Sequence, residues 1–424
     1  MRCRDLKENN KYTNTQMFIY LIIYKTVIEF MYIYAIAPIY NYSGLTLNIN
    51  KIAYVVSVIF LLLIVIFSPK NKTRPSTYLY FIMEIFLIVP TLAYYWLNNQ
   101  SVVYTFFVVF SSIIISHVLK IKPVNFNIKS RTANIWVSMF FVFYVITTVY
   151  LIIKRGGIDA RALNFDLIYD MRAENELNGI WGYLMNWSTK ALCPFFFAYF
   201  YLRKKYLFII PILALQLMMY LSFGNKAFLF SIGVIIMSVI ITKRNKFVRE
   251  MVFAISGLNI IAYVLDFYGI SDVLRRSIPY RLTFIPAQIQ FQYYEFFRTS
   301  KKMHFADGAI GKILNIDSPF QQKVSFIIGS YFSHNGLGTN ANTGMLADAY
   351  ANGGVILMIF IAIFFGIILN IIDSATNKLP VYVVVGSFSY IMFVLNDTAL
   401  LTTLLTGGMG LMILLLLLFN SSIE

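Results

Sequence analysis

The sequence predicts an all-α polytopic membrane protein with about twelve transmembrane helices and two long outward-facing loops, the larger carrying short interfacial helices. Three observations lead there. Of the 424 residues, 59% are apolar, 17% aromatic and only 13% charged, with a mean hydropathy of +0.69, far from the soluble average. Apolar windows long enough to cross a bilayer recur along the whole chain. The basic residues alternate in density from one connection to the next, as the positive-inside bias requires.

Taken in order, the windows lie near 15–38, 52–68, 78–97, 101–119, 134–153, 182–202, 206–222, 227–242, 250–268, 354–372, 380–396 and 400–420. The first follows a basic tail and ends Ala35-Ile36-Ala37, a peptidase-like pattern. It contains Lys25 and Glu29 and runs into Pro38, and it reads as a retained first helix. The connections at 98–100 and 223–226 are tight, so the helices flanking each form a hairpin. No internal repeat is visible. The chain 1–424 reads as one membrane domain, with a first outer loop at 154–181 and a large one at 269–353.

Orientation follows from the charge count. One side collects nineteen Lys and Arg, among them Lys11, Lys70, Arg74, Lys120, Arg203, Lys243 and Lys378, and the short loops of the other hold only Lys51 and Lys226. Both termini are therefore predicted to be cytoplasmic. The net charge of +16 is explained by this bias, and no basic stripe on a soluble module points to nucleic acid. Cys3 and Cys193 fall on different sides and form no disulfide framework. His117, His304 and His334 are scattered, so neither a metal nor any other cofactor is expected.

The large loop is basic, +4 over 271–346, while the first is −1. Long loops are exempt from the topology rule, so this charge can report on a ligand, such as an anion carried on a lipid. Residues 281–297 and 322–332 are too apolar for free loop and read as short helices at the interface. Arg275, Arg276 and Arg281 supply guanidinium forks suited to phosphate. Arg276 and Arg281 are five apart and need a bend to converge, which Pro279 can supply. Headgroup anchoring is the plainer use of such arginines. Tyr293 and Tyr294, with Gln288, Gln290 and Gln292 beside them, suit a sugar or an aromatic belt.

Asn340, Asn342, Thr343, Asp348, Tyr350 and Asn352 cluster at the mouth of the tenth window, with Gly344, Gly353 and Gly354 among them. In a helix starting at Met345, Asp348 and Asn352 share a face. Asp348 can position or deprotonate a hydroxyl, and His334 is a second candidate base. Arg172 is a candidate ligand in the first outer loop, although acids beside it can pair with it. Lys226 stands at an outer hairpin tip against the charge bias, as a ligand or as a snorkelling lysine. Inside the windows, Lys25 and Glu29 can satisfy one another, and Glu84 and Lys190 can pair across helices.

YRLTFIPAQIQFQYYEFF followed by NTGMLADAYANGG, with IYDMR…GYLMNW and the GNK hairpin, resembles the Wzy-type O-antigen polymerase family. The resemblance implies an enzyme of the bacterial inner membrane that polymerises undecaprenyl-diphosphate-linked oligosaccharide units, as donor and acceptor, into O-antigen or capsule. It implies inverting, metal-independent transfer, with a flippase and a chain-length regulator as partners. It assigns Arg281 and Arg172 to the diphosphate, and Asn342, Asp348 and Tyr350 to the acceptor. An O-antigen ligase shares the loops and carrier, and a twelve-span polysaccharide flippase shares the span count and charge. The gathering of charge in the outer loops favours the enzyme over the transporter.

Overall fold

The computed structural model describes residues 11–124, 132–164, 167–168, 171, 179–333 and 340–422. Arg172 and His334 lie outside the described residues. The described chain is helical, with no strand among the described residues. In chain order the helices are α1 (Asn14–Ser43), α2 (Lys51–Phe67), α3 (Pro75–Leu97), α4 (Val102–Val118), α5 (Ala133–Lys154), α6 (180–202), α7 (Tyr206–Phe223) and α8 (Lys226–Lys243). There follow α9 (Phe247–Phe267), α10 (273–299), α11 (Ala309–Leu314), α12 (Val324–Tyr331), α13 (Met345–Ala375), α14 (Val381–Val394), α15 (Leu400–Leu405) and α16 (Met409–Ser421). Seven of them, α1, α3, α5, α7, α8, α9 and α13, are long and apolar enough to cross a membrane.

Local chemistry sets the helix starts. Asn50 accepts from the Ile52 and Ala53 N–H groups at 3.0 and 3.1 Å, and Ser101, Asn225 and Thr13 cap α4, α8 and α1 in the same way. Proline sets the irregularities inside. Wide π turns occupy Tyr32–Ile36, Glu84–Ile88, Trp187–Leu192 and Arg276–Phe284. Each ends two residues before a proline: Pro38, Pro90, Pro194 and Pro286. A helical proline lacks its N–H and its ring strikes the carbonyl four residues back. Widening the preceding turn moves that carbonyl aside and keeps the helix continuous.

Helix α3 is buried along its whole length and forms the axis of the bundle, as its all-round apolar sequence requires. Helix α14 packs on α3, α6 and α8, α13 packs on α4, and α9 packs on α1. Helix α10, roughly 40 Å long at 1.5 Å per residue, crosses the helix ends. Gln288 donates to the Ser43 carbonyl at the end of α1 at 2.8 Å. Phe291 meets Tyr94 in the last turn of α3 and Tyr104 in the first turn of α4. Asn396, just beyond α14, donates to the Leu282 carbonyl at 3.3 Å. The helix expected over 281–297 is present and buried on one face: Phe284, Ala287, Phe291, Tyr293 and Phe297 belong to the main hydrophobic cluster.

The intramembrane charges are arranged differently from one expectation. Lys25 donates to Glu29 within α1, and Glu29 also accepts from the Trp96 indole. Glu84 and Lys190 do not pair. Glu84 accepts from Ser68 at 2.5 Å toward the lysine-rich end of the bundle, whereas Lys190 faces Asp397 at the α10 end. The two side chains are drawn to opposite ends by different partners.

Candidate functional site at the α10 end

The three arginines of α10 have separate surroundings. Arg275 is buried, ion-paired with Asp266 at 2.9 Å and Asp272 at 3.3 Å, and donates to the Tyr40 hydroxyl at 2.7 Å. Its fork is spent on locking the corner between α9, α10 and the end of α1, so it is not presented to a ligand. Arg276 is half-exposed and pairs with the shared acid Asp272 at 2.6 Å. Arg281 is exposed and, among the described residues, makes no hydrogen bond or ion pair.

Arg276 and Arg281 occupy the first and sixth positions of the α10 π turn. Such a turn bonds residue i to i+5, and Ile285 N–H reaches the Tyr280 carbonyl in this way. Beside Arg276 opens a cleft of about 440 Å³ lined by Lys226, Asp272, Ser277 and, from the segment after α5, Ala160, Leu163 and Asn164. Lys226 is the first residue of α8, held there by the Asn225 cap. Two of the cations singled out in the sequence, Lys226 and Arg276, thus share one cleft. The loop is braced next to it by Arg161 on Asp159 at 2.8 Å, which holds the Asp159 carboxyl below its usual range.

On the other flank of the π turn, Arg281 lies within electrostatic reach of Asp397, in the turn between α14 and α15. Lys190, on the π turn of α6, faces the same carboxylate. Burial pushes the Asp397 carboxyl up, and Lys190, the Thr398 hydroxyl and Arg281 oppose the rise. Asp397 is nevertheless exposed at the helix ends. Between an unfolded carboxyl near 3.9 and its raised folded value, the folded chain holds this proton more firmly, so its contribution to stability is lost as pH rises through that window. Asp397→Asn should flatten the pH dependence of the unfolding midpoint there, measured by scanning fluorimetry in detergent.

The Asn-Thr-Gly segment ends beside the turn that carries Asp397, where Met345 N–H donates to the Leu395 carbonyl at 3.4 Å. Thr343 is buried with no hydrogen-bond partner for its hydroxyl, and Asn340 and Asn342 are exposed. A Cβ at Gly344 would meet the Asn396 carbonyl oxygen at 2.5 Å and that of Leu395 at 2.9 Å, backbone against backbone. Gly344→Ala should therefore lower stability by about 1–3 kcal/mol, read as a lower unfolding midpoint.

In helix α13, which starts at Met345, Asp348 and Asn352 are neighbours at i, i+4 as the spacing predicts. Asn352 donates to the Asp348 main-chain carbonyl at 2.9 Å, and its own oxygen accepts from Phe305 N–H at 2.6 Å. It ties the 303–305 segment to α13 just before the kink at Gly353–Gly354, where Gly354 adopts φ +65°. Asp348 is partly exposed one turn earlier. Tyr293 is buried and donates to the Ala341 carbonyl at 2.9 Å, which fixes the segment leading to α13. Tyr350 and Tyr294 form an aromatic wall, 5.0 Å between centroids, with Lys302 Nζ 3.8 Å from the Tyr350 centroid. Burial lowers the Lys302 ammonium from its ordinary value.

Arg281 and Lys190 are thus both placed within electrostatic reach of Asp397, and Arg276 and Lys226 share a separate cleft. Arg275, Tyr293 and Asn352 hold the frame. The sequence reading passed over Asp397 because it falls between two apolar windows. A lone acid in the short polar break of FVLNDTALLTT, between two apolar windows, was the signal available. Among the described residues no cluster of three or more His, Cys, Asp or Glu could hold a metal. No family model, curated protein or solved structure matches the chain.

Proposed function

We propose that the chain is a membrane glycosyltransferase that polymerises undecaprenyl-diphosphate-linked oligosaccharide units into a surface polysaccharide, O-antigen or capsule. In this reading the chain crosses the bacterial inner membrane twelve times, its termini face the cytoplasm and the α10 end faces the periplasm. A hydroxyl oxygen of the acceptor unit attacks the anomeric carbon of the donor glycan. The bond from that carbon to the diphosphate oxygen breaks, the lipid diphosphate leaves with the electron pair, and the hydroxyl proton passes to a base, for which Asp348 is the described candidate. Leaving-group charge needs cations already in place. Arg281 meets it, with Arg276 and Lys226 holding the rest of the diphosphate and the Tyr294–Tyr350 wall stacking on sugar.

The observation that carries the reading is the exposed guanidinium of Arg281, which makes no hydrogen bond or ion pair among the described residues and sits on the π turn that also carries Arg276 of the basic cleft. Arginines used for structure find carboxylates, as Arg275 and Arg74 do. The test is reconstitution: purified protein with a defined lipid-diphosphate oligosaccharide should give a ladder on a gel. Absence of any ladder from active, folded protein supplied with its cognate unit would refute the polymerase. A flippase that delivers the units and a regulator of chain length are the expected partners.

A further inference from the structure

We propose that a second cleft, at the opposite end of the bundle from α10, binds the phosphate of an anionic phospholipid. It has a volume of about 460 Å³ and lies where the end of α2, the start of α3 and the end of α4 meet. Lys11, Lys70, Arg74 and Lys120 line it. Arg74 is committed: it pairs with Asp373 at 2.5 Å and donates to the Leu119 carbonyl. The three lysines are not. Among the described residues none has a carboxylate within ion-pair distance. Lys70 touches only the Ile66 carbonyl, at 3.3 Å, and Lys120 lies 5.7 Å from the Phe67 ring centroid.

Three ammonium groups around one cleft repel one another unless an anion sits between them. The repulsion is felt: Lys70 is held below its ordinary value by burial and by Lys120. A second observation points to the same ligand. Thr77, 1% exposed, lines the cleft with a hydroxyl that has no hydrogen-bond partner. A buried hydroxyl is rarely left so, and a phosphate oxygen in the cleft would accept from it. Charge and donor together describe a phosphate.

The surroundings favour one carried on a lipid. Ile66 and Phe67 form an apolar side of the cleft. From Ile66 an exposed apolar stripe runs back along α2 through Leu62, Ile59, Val55 and Ile52, spaced three and four apart so that it follows one face. At 1.5 Å per residue it extends roughly 20 Å, a length suited to an acyl chain whose headgroup fills the cleft. The inference needs the chain to be membrane-embedded but not the glycosyl transfer.

The test is native mass spectrometry of the detergent-solubilised protein titrated with phosphatidylglycerol, phosphatidylcholine or inorganic phosphate. Phosphatidylglycerol should be retained over phosphatidylcholine. Lys70→Ala/Lys120→Ala should cut that preference roughly thirtyfold, the combined effect of two lysines near an anionic headgroup. Lys70→Arg/Lys120→Arg should keep it, which guards against misfolding as the cause. Lys204→Ala/Lys205→Ala, which removes equal charge away from the cleft, should also keep it. Equal retention of the two lipids, or equal loss in both alanine pairs, overturns the proposal. Phosphate binding that depends on Lys70 and Lys120 without any lipid preference would overturn the lipid as its source. Because the readout is lipid retention, it is independent of whether the protein forms a ladder.

Discussion

Arg281→Ala should abolish polymer while leaving the protein folded in the membrane. The size of the effect follows from its position. Removing one preorganised donor to a developing anion typically costs a factor of about 10² to 10³ in turnover. Arg281 is exposed and makes no ion pair or hydrogen bond among the described residues. Truncating it therefore breaks no hydrogen bond or ion pair among the described residues, and surface changes of that kind rarely move stability by more than about 0.5 kcal/mol. Arg275→Ala should do the reverse. It strands Asp266 and leaves Asp272 to Arg276 alone, so protein level and unfolding midpoint fall before any change in chemistry can be read. Arg281→Lys keeps the charge but not the planar fork, and should recover only a small part of the ladder. Normal chain lengths from Arg281→Ala would refute the diphosphate role. Asp348→Asn keeps shape and removes charge, and wild-type polymer from it would rule Asp348 out as the base.

Some of this was legible in the sequence and some was not, for identifiable reasons. Hydropathy locates helices because a span needs a long apolar run, and helices occur at the windows read from the chain. The Lys25–Glu29 pair was legible because both residues sit on one helix, where spacing alone decides contact. Glu84 and Lys190 were not, because nothing in a linear chain says which helices are neighbours. Arg275, Arg276 and Arg281 look alike as letters. Only the positions of Asp266, Asp272 and Tyr40 separate a structural arginine from one free to meet a ligand. The π turns were partly legible, since each precedes a proline by two residues. Three of the four contain Glu84, Lys190, or Arg276 and Arg281, so the same prolines locate charged side chains set on altered helical geometry.

The largest loss of stability should come from Lys25→Met. Lys25 is fully buried and Glu29 nearly so, with side-chain exposures of 0% and 8%. The ammonium donates to Glu29 and lies 4.7 Å from the Tyr54 ring centroid. Glu29 is also bound by the Trp96 indole, which ties α1 to the central helix α3. Taking two charges out of water is unfavourable, and the pair is tolerated because each neutralises the other. Met keeps much of the lysine's bulk and removes the charge, leaving a buried carboxylate with the indole as its one donor. Breaking a buried pair in this way costs about 3–5 kcal/mol. Lys25→Met/Glu29→Gln should be less damaged than the single variant. The amide oxygen still accepts from Trp96, and no lone charge remains. The double-mutant cycle should therefore give a coupling of about 0.5–3 kcal/mol, measured from unfolding midpoints in one detergent. Additive losses in the cycle would mean that lysine and glutamate contribute bulk alone, and that the pair does not hold α1 against α3.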